Sequence, residues 1–453
     1  MSEEQKVGNF RGTADFLGKQ AKLRLEVMLI MRRAFERFGF EPLETPEIEL
    51  KKVLQGTGGD EAESSKYFKL VKYVDMAEAG LRFDHTVPLA RAITMHWNQF
   101  ITPYKRYAIG PVFRNEGGAG AGRWSRFIQC DFDTVGSASP VVDAEIVAIN
   151  YSILTELGFG NQFITRLNDR RLLNAMVSAM GITSSSDQVV AILRSWDKLD
   201  RTEMRKCRKD LLRSGLCKND IYYLEDVTRQ LVAVCGQPTE QVVAVINSLF
   251  PTEDVAKALG DIEVITGYID SFGVPKSAYQ FWPLLSRGLA YYTGPIFETV
   301  VNGISGSISG GGRFDKLIAN MGGPDMAASG SSFGLERVIA VMEELGISPN
   351  LNLASDVFVT LFDLGNQDLC EASFAFATKL RLTGYKVEVY TGDAQSLGKQ
   401  LNIASRKGIP IVVIIGPEEL NSGQVTIKNL KEGAQERLSP DKAVEIINWW
   451  LNT

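Results

Sequence analysis

A chain of 453 residues, 45% hydrophobic and with net charge −5, has material for about three domains and is not coated in basic surface. A local basic patch for nucleic acid stays open. Five cysteines without C-x-x-C spacing argue against a disulfide framework or zinc site, and two histidines leave little for a multi-histidine metal centre or a serine triad. No apolar run nears the ~20 residues of a membrane span, and MSEEQKVGNF lacks a secretory pattern, so a cytoplasmic protein without a membrane partner is expected.

Residues from about 15 to 38 predict an amphipathic helix, with Leu23, Leu25, Val27, Met28, Met31, Ala34 and Phe35 as its stripe. Gly39 ends it. FEPLETPEIEL follows as a strand broken by prolines, with Pro46 at an edge or bulge. This helix–strand pair suits core packing or a dimer contact. Beyond the Gly-rich GTGGDEAESSKYF, the segment LRFDHTVPLARAI turns from strand into helix. Asp84 and Thr86 lie at the turn. Thr86 is a plausible N-cap, and polar groups there can also hold a charged ligand.

FRNEGGAGAGRWSRFIQCDFD, from Phe113 to Asp133, predicts two antiparallel strands joined by a long glycine-rich loop. One face would carry Arg114, Glu116, Phe127 and Gln129. Arginine forks suit phosphate, a ring can stack a base, and a carboxylate can accept from an exocyclic amine. A solvated hairpin with charged tips is the plainer alternative. Residues from about 140 to 157 predict a helix. Residues 170 to 275 then change character, with many helical stripes and few aromatics. Within them RSWDKLDRTEMRKCRKDLLRS is locally basic, as a solvated face or an RNA backbone contact would be.

Strand patterns return near 278, in YQFWPLL, SRGLAYYTGPIFETVV and ISGSISGGGRFDKLI. Arg287, Tyr291 and Tyr292 sit beside glycines that let a ligand approach, and Gly310 to Gly312 would let a strand pack against one. GSSFGLERVIAVMEEL runs from strand into helix with Arg337 on the first turn. From Ser355 strands and helices alternate, which predicts a separate, mostly parallel sheet wound on both faces, with a linker near 346–354.

Together these segments resemble the class II aminoacyl-tRNA synthetases, and among them the histidyl-tRNA synthetase family, over nearly the whole chain. GFEPLETPEIE resembles the first class motif, FRNE…GRWSRF the second and GSSFGLER the third. SRGLAYYTGPIFE and GGGRFDKL resemble the two stretches peculiar to the histidine family. The fold class implied is α/β: an α+β catalytic domain on an antiparallel sheet (1–169 and 276–345), a helical insertion (170–275), and a C-terminal doubly wound α/β domain for the anticodon (355–453).

The resemblance also implies chemistry. ATP and L-histidine would form histidyl-adenylate, which acylates tRNA(His). Arg114 and Arg287 would act at the α-phosphate. Arg123 and Arg337 would hold the outer phosphates with Mg2+, Glu116 would accept from the adenine amine, and Phe127 would stack the ring. Asp84, Thr86 and Gln129 would bind the α-amine. Asp133 and Tyr292 would bracket the imidazole, with Tyr291 and Arg287 beside them. A homodimer is implied as well. Three features depart from the family pattern: Ala290 in place of an aspartate, Ser125 in place of an arginine, and a link between the motif-two strands that holds only glycine and alanine from Gly117 to Gly122. The alternative is the synthetase-like, non-catalytic regulatory subunit of ATP phosphoribosyltransferase, which binds histidine but normally lacks the anticodon-binding domain.

Overall fold

The computed structural model describes residues 8–55, 68, 78–115, 124–198, 204–287, 291–347, 354–393 and 396–452. The expectations for Glu116, Arg123, Ala290, the 117–122 link and most of the 56–68 loop lie outside these residues. The chain divides into two units, Met1–Pro349 and Asn350–Thr453.

The first amphipathic stripe forms the helix Lys19–Arg37, which buries Val27, Ile30, Met31, Ala34 and Phe35, whereas Leu25, expected in the stripe, lies two positions off this face and is exposed. Gly39 follows with φ +81°, a left-handed conformation that a Cβ penalises, and the Phe40 N–H returns to the Phe35 carbonyl. The proline-broken strand becomes two short ones, β1 (Glu41–Pro42) and β2 (Ile48–Leu50), with Pro46 between them. Buried Arg82 pins this irregular segment. Its guanidinium donates to the Thr45 carbonyl at 2.6 Å and the Pro111 carbonyl at 2.8 Å.

The remaining strands of the first unit are β3 (Ala79–Leu81), β4 (Tyr104–Phe113), β5 (Arg126–Val135), β6 (Phe163–Asp169), β7 (Tyr279–Phe281), β8 (Pro295–Val301), β9 (Ser307–Arg313) and β10 (Ala328–Gly334). β2 and β3 form a small antiparallel pair. The others form one eight-stranded sheet in the order β1-β4-β5-β10-β9-β8-β6-β7. Its pairings are antiparallel except β1–β4 and β6–β7 at the two edges. The predicted hairpin is β4 and β5, paired over ten residues with Arg106 opposite Asp133 and Gly110 opposite Gln129. Even-numbered Ile128, Cys130 and Phe132 face the core, so Gln129, Asp131 and Asp133 share the other face.

Parallel β6 and β7 need a crossover, and helices fill it: Arg170–Ala179, Ser186–Asp197, Met204–Arg213, Lys218–Val234, Thr239–Leu249 and Glu253–Ser271. Their core is continuous with that of the sheet, for Leu173, Trp196, Leu224 and Ile262 cluster with Phe35 and Phe132. Three cations of the basic segment have acidic partners: Arg208 pairs with Glu225, and Lys198 and Arg213 pair with Asp210. Those partners fit a solvated face better than a free phosphate contact.

In the second unit β11 (Val357–Val359), β12 (Val387–Val389), β13 (Ile411–Ile414), β14 (Val425–Asn429) and β15 (Gln435–Leu438) form a sheet in the order β12-β11-β13-β14-β15. The mostly parallel expectation needs correction. β11 pairs parallel with β12 and β13, but β13–β14 and β14–β15 are antiparallel. Both faces are covered as expected. Phe376, Leu380, Ile447 and Trp450 pack on one, and Ala404, Ile409 and Tyr390 on the other. Among the described residues no helix is long and apolar enough to cross a membrane.

Candidate active site

The polar face of β5 forms the floor of a small cavity of about 60 Å³, lined by Gln129, Asp131 and Asp133 together with Ser331 and Ser332 of β10. Asp84 and Thr86 approach from the start of the helix Thr86–His96. Arg114 enters from the end of β4, and Arg287, Tyr291 and Tyr292 enter from the segment before β8. Eight residues singled out from sequence therefore surround one space. Phe127 stands at its margin, under the Arg114 guanidinium at 5.2 Å from the ring centre.

One local expectation is corrected. Thr86 does not cap its helix. Asp84 Oδ1 accepts the Val87 N–H at 3.0 Å, because the aspartate two residues earlier reaches the open first turn, whereas Thr86 is already helical. Thr86 is instead hydrogen-bonded to Tyr291.

Glycines make the space. A Cβ on Gly310 would collide with the Arg287 guanidinium, and one on Gly330 with the Asp133 carboxylate. In its notch Arg287 donates from Nη1 to the Phe297 carbonyl at 3.1 Å and lies 3.9 Å from Glu298, while its buried Nε has no partner. Arg114 donates from Nε to the Phe83 carbonyl at 3.0 Å, leaving its terminal nitrogens as the part that a phosphate could use.

Sequence reasoning gave no role to the groups that set this electrostatics. Arg106, 1% exposed, lies 2.7 Å from Asp133 Oδ2, close enough to pair charge though not aligned as a hydrogen bond. Burial pushes Asp131 up to about 7, against the pull of Arg106. Burial likewise pushes Asp133 up to about 6, again opposed by Arg106. His85 lies beneath them, 3.2 Å from the Gly110 carbonyl through Nε2. Burial, with Arg82 and Arg106 nearby, holds it neutral and its pKa down to about 3. The strand alternation that exposed Gln129 and Asp133 also marks Asp131. Nothing in the sequence marks Arg106 or His85 as buried.

His85 has a measurable consequence. As pH falls below its unfolded value near 6.5, the unfolded chain takes up a proton that the folded site refuses, so this group lowers stability from there toward pH 3. His85→Gln keeps a donor for Gly110 but does not titrate. Between pH 5.5 and 4.5 the variant is expected to gain about 1.4 kcal/mol on the wild type. Urea unfolding at both pH values measures it, and a pH-independent difference would contradict the neutral histidine.

The remaining expected site residue sits apart. Arg337 is on the first turn of the helix Leu335–Glu344, but it does not line the cavity, and its Nη2 donates to the Ser305 carbonyl. Its neighbour Glu336 is structural, accepting from Arg24 at 2.8 Å and from the Ile128 N–H at 2.9 Å. Ser125 is buried beneath Gly12, whose carbonyl accepts its N–H at 2.7 Å. A Cβ on Gly12 would strike the Ser125 side chain, so this serine fits a tight N-terminal contact rather than a ligand.

A cross-strand row extends the floor. Ala108, Asp131, Ser332, Gly310, Glu298 and Arg166 stand opposite one another across six strands. It leads into a wider cleft of about 690 Å³, where Arg166 stacks on Trp282 at 3.7 Å. A larger substrate thus has room beside the small cavity. Among the described residues no three carboxylate, thiol or imidazole side chains are grouped so that they could hold a metal ion.

Residues 12–338 match the family model described as histidyl-tRNA synthetase, and residues 356–449 match an anticodon binding domain. The chain belongs to the histidyl-tRNA synthetase family. The histidine–tRNA ligase of Gloeobacter violaceus is 34% identical over 97% of this chain and 98% of its own length. That of Helicobacter hepaticus is 35% identical over 96% and 97%. The crystal structure of the histidyl-tRNA synthetase from Nostoc sp. PCC 7120 superposes with a TM-score of 0.83 at 28% identity, covering 98% of this chain and 99% of the other.

Proposed function

We propose that this chain joins L-histidine to tRNA(His), using ATP and passing through histidyl-adenylate. The observation that carries the reading is two arginines, Arg114 and Arg287, and two carboxylates, Asp84 and Asp133, around one small cavity that opens beside a larger cleft. In the first step the histidine carboxylate oxygen attacks the α-phosphorus, the bond to the bridging oxygen breaks, and pyrophosphate leaves. Two anions must approach each other there, and the two guanidinium groups offset that repulsion. In the second step a hydroxyl at the tRNA 3′ end attacks the adenylate carbonyl and AMP leaves. No side chain need be the nucleophile.

Asp84, Thr86 and Gln129 supply acceptors for the α-ammonium, and Asp133 and Tyr292 flank the imidazole. Such a pocket rejects isosteres because its own buried polar groups would stay unpaired. Phe127 would stack adenine and Arg337 would swing from Ser305 to the outer phosphates. Glu116 and Arg123 rest on the family resemblance. Magnesium would arrive with ATP, held mainly by phosphate oxygens. The segment 355–453 would read the anticodon, and the active form would be a homodimer in the cytoplasm.

The test is histidine-dependent ATP–pyrophosphate exchange followed by charging of a tRNA(His) transcript. Exchange with L-histidine and with no other amino acid is expected. Histidine binding without exchange would move the assignment to the regulatory-subunit reading.

A further inference from the structure

Behind Gln129 the floor of the cavity contains a hydrogen-bond chain whose other members, Asp131 and Ser332, have no part in the reaction above. Ser332 Oγ donates to Asp131 Oδ1, and Gln129 Nε2 donates to Ser332 Oγ at 2.8 Å. Asp131 and Ser332 stand directly opposite each other on β5 and β10, so strand register fixes the contact. Gln129 is 9% exposed, and its Oε1 is buried without a partner while the residue lines the cavity. A buried amide oxygen left unpaired is costly unless a ligand fills it.

The direction of the chain follows from donor and acceptor inventory. An ionised carboxylate only accepts, so it takes the single hydroxyl proton of Ser332. The hydroxyl then has only lone pairs for Gln129, so Gln129 must turn its NH2 toward Ser332 and its oxygen toward the ligand. We propose that Asp131 and Ser332 are positioning residues that set the polarity of Gln129, so that its Oε1 accepts from the α-ammonium of the amino-acid substrate. This rests on the histidine reading of the cavity. The arriving ammonium adds positive charge beside Asp131 and so favours the ionised form that the relay needs.

The relay makes a prediction that simple charge attraction does not. In Asp131→Leu the serine proton has no carboxylate to satisfy, so it turns to Gln129 Oε1. The amide rotates and aims NH2 at the ammonium. Removing that proton as well, in Asp131→Leu/Ser332→Ala, takes away the force that rotates the amide.

Binding is measured by calorimetry with two probes. Histidinol keeps the amine and lacks the carboxylate, and imidazolepropionate keeps the carboxylate and lacks the amine. Asp131→Leu is expected to weaken histidinol at least about tenfold and leave imidazolepropionate within about twofold. The double variant is expected to recover most of the histidinol affinity. Asp131→Ala makes the same change in polarity should leucine not fold. Equal loss of both probes, or no recovery in the double variant, would overturn the relay in favour of packing or of direct charge attraction. Wild-type protein that binds neither probe would overturn the histidine reading itself.

Discussion

Replacing Arg287 with alanine is expected to leave L-histidine affinity within a few-fold and to slow adenylate formation at least about a hundredfold, ~2.7 kcal/mol of transition-state stabilisation. The guanidinium is held by the Phe297 carbonyl and by Glu298, while its Nε stays buried and unpaired. A donor kept in that state suits charge that appears only as the reaction proceeds. Arg287→Lys keeps the charge but loses the planar fork, and about a tenfold loss is expected. Gly310→Ala tests the same point without touching the arginine. Its methyl would occupy the guanidinium's place, so the rate is expected to fall in the same direction although every charged group remains. Pyrophosphate exchange gives the rate and calorimetry gives the affinity. Exchange in Arg287→Ala within twofold of wild type would remove this arginine from the reacting centre.

Much of the architecture could be read because local pattern and tertiary environment agree. FIQCDFD alternates, and that alternation becomes one core face and one site face of β5. The successive glycines of SGGGRFD imply a close approach, and in the structure Gly310 receives Arg287. The antiparallel half of the C-terminal sheet escaped the alternation argument for a physical reason. Only the short helix Pro417–Ser422 joins β13 to β14, too little chain for a parallel crossover, so β14 turns back along β13. β15 is QERL, exposed over most of its length, and has no apolar alternation to separate it from a loop.

The polar layer beneath the site is a harder case. Arg106 lies in YKRYAIG, and a cation in a strand ordinarily faces water. Its burial comes from standing opposite Asp133, which depends on the register of a hairpin with a long loop. Local sequence does not encode that register. The same holds for His85, which β4 covers at Gly110 and Arg106. Arg337 shows the converse: its place on the first turn is local, but its side chain is held by Ser305, 32 residues away in the chain.

Arg106→Leu is expected to be the most destabilising single change at this site. It leaves Asp133, 2% exposed, without its counter-charge and the His85 carbonyl without a donor at 3.1 Å. Removing one partner of a buried pair costs about 3–5 kcal/mol. The loss also depends on pH in a definite direction. Burial already raises Asp131 and Asp133, and Arg106 is the charge that opposes it. Without Arg106 both pKa values rise further, and the variant can relieve an unpaired charge only by taking up protons. Wild type has the opposite difficulty in acid, where protonated partners leave its buried guanidinium unpaired. The gap between the two is therefore expected to be larger at pH 8 than at pH 5, as urea unfolding at each pH would show. An equal gap at the two pH values would mean that lost packing, not lost charge, dominates. Arg106→Leu/Asp133→Leu separates stability from function. With both charges gone, unfolding stability is expected to return toward wild type, since apolar pairs often replace buried ion pairs without loss. Histidine binding is expected to be lost in this double variant, because the group beside the imidazole is missing.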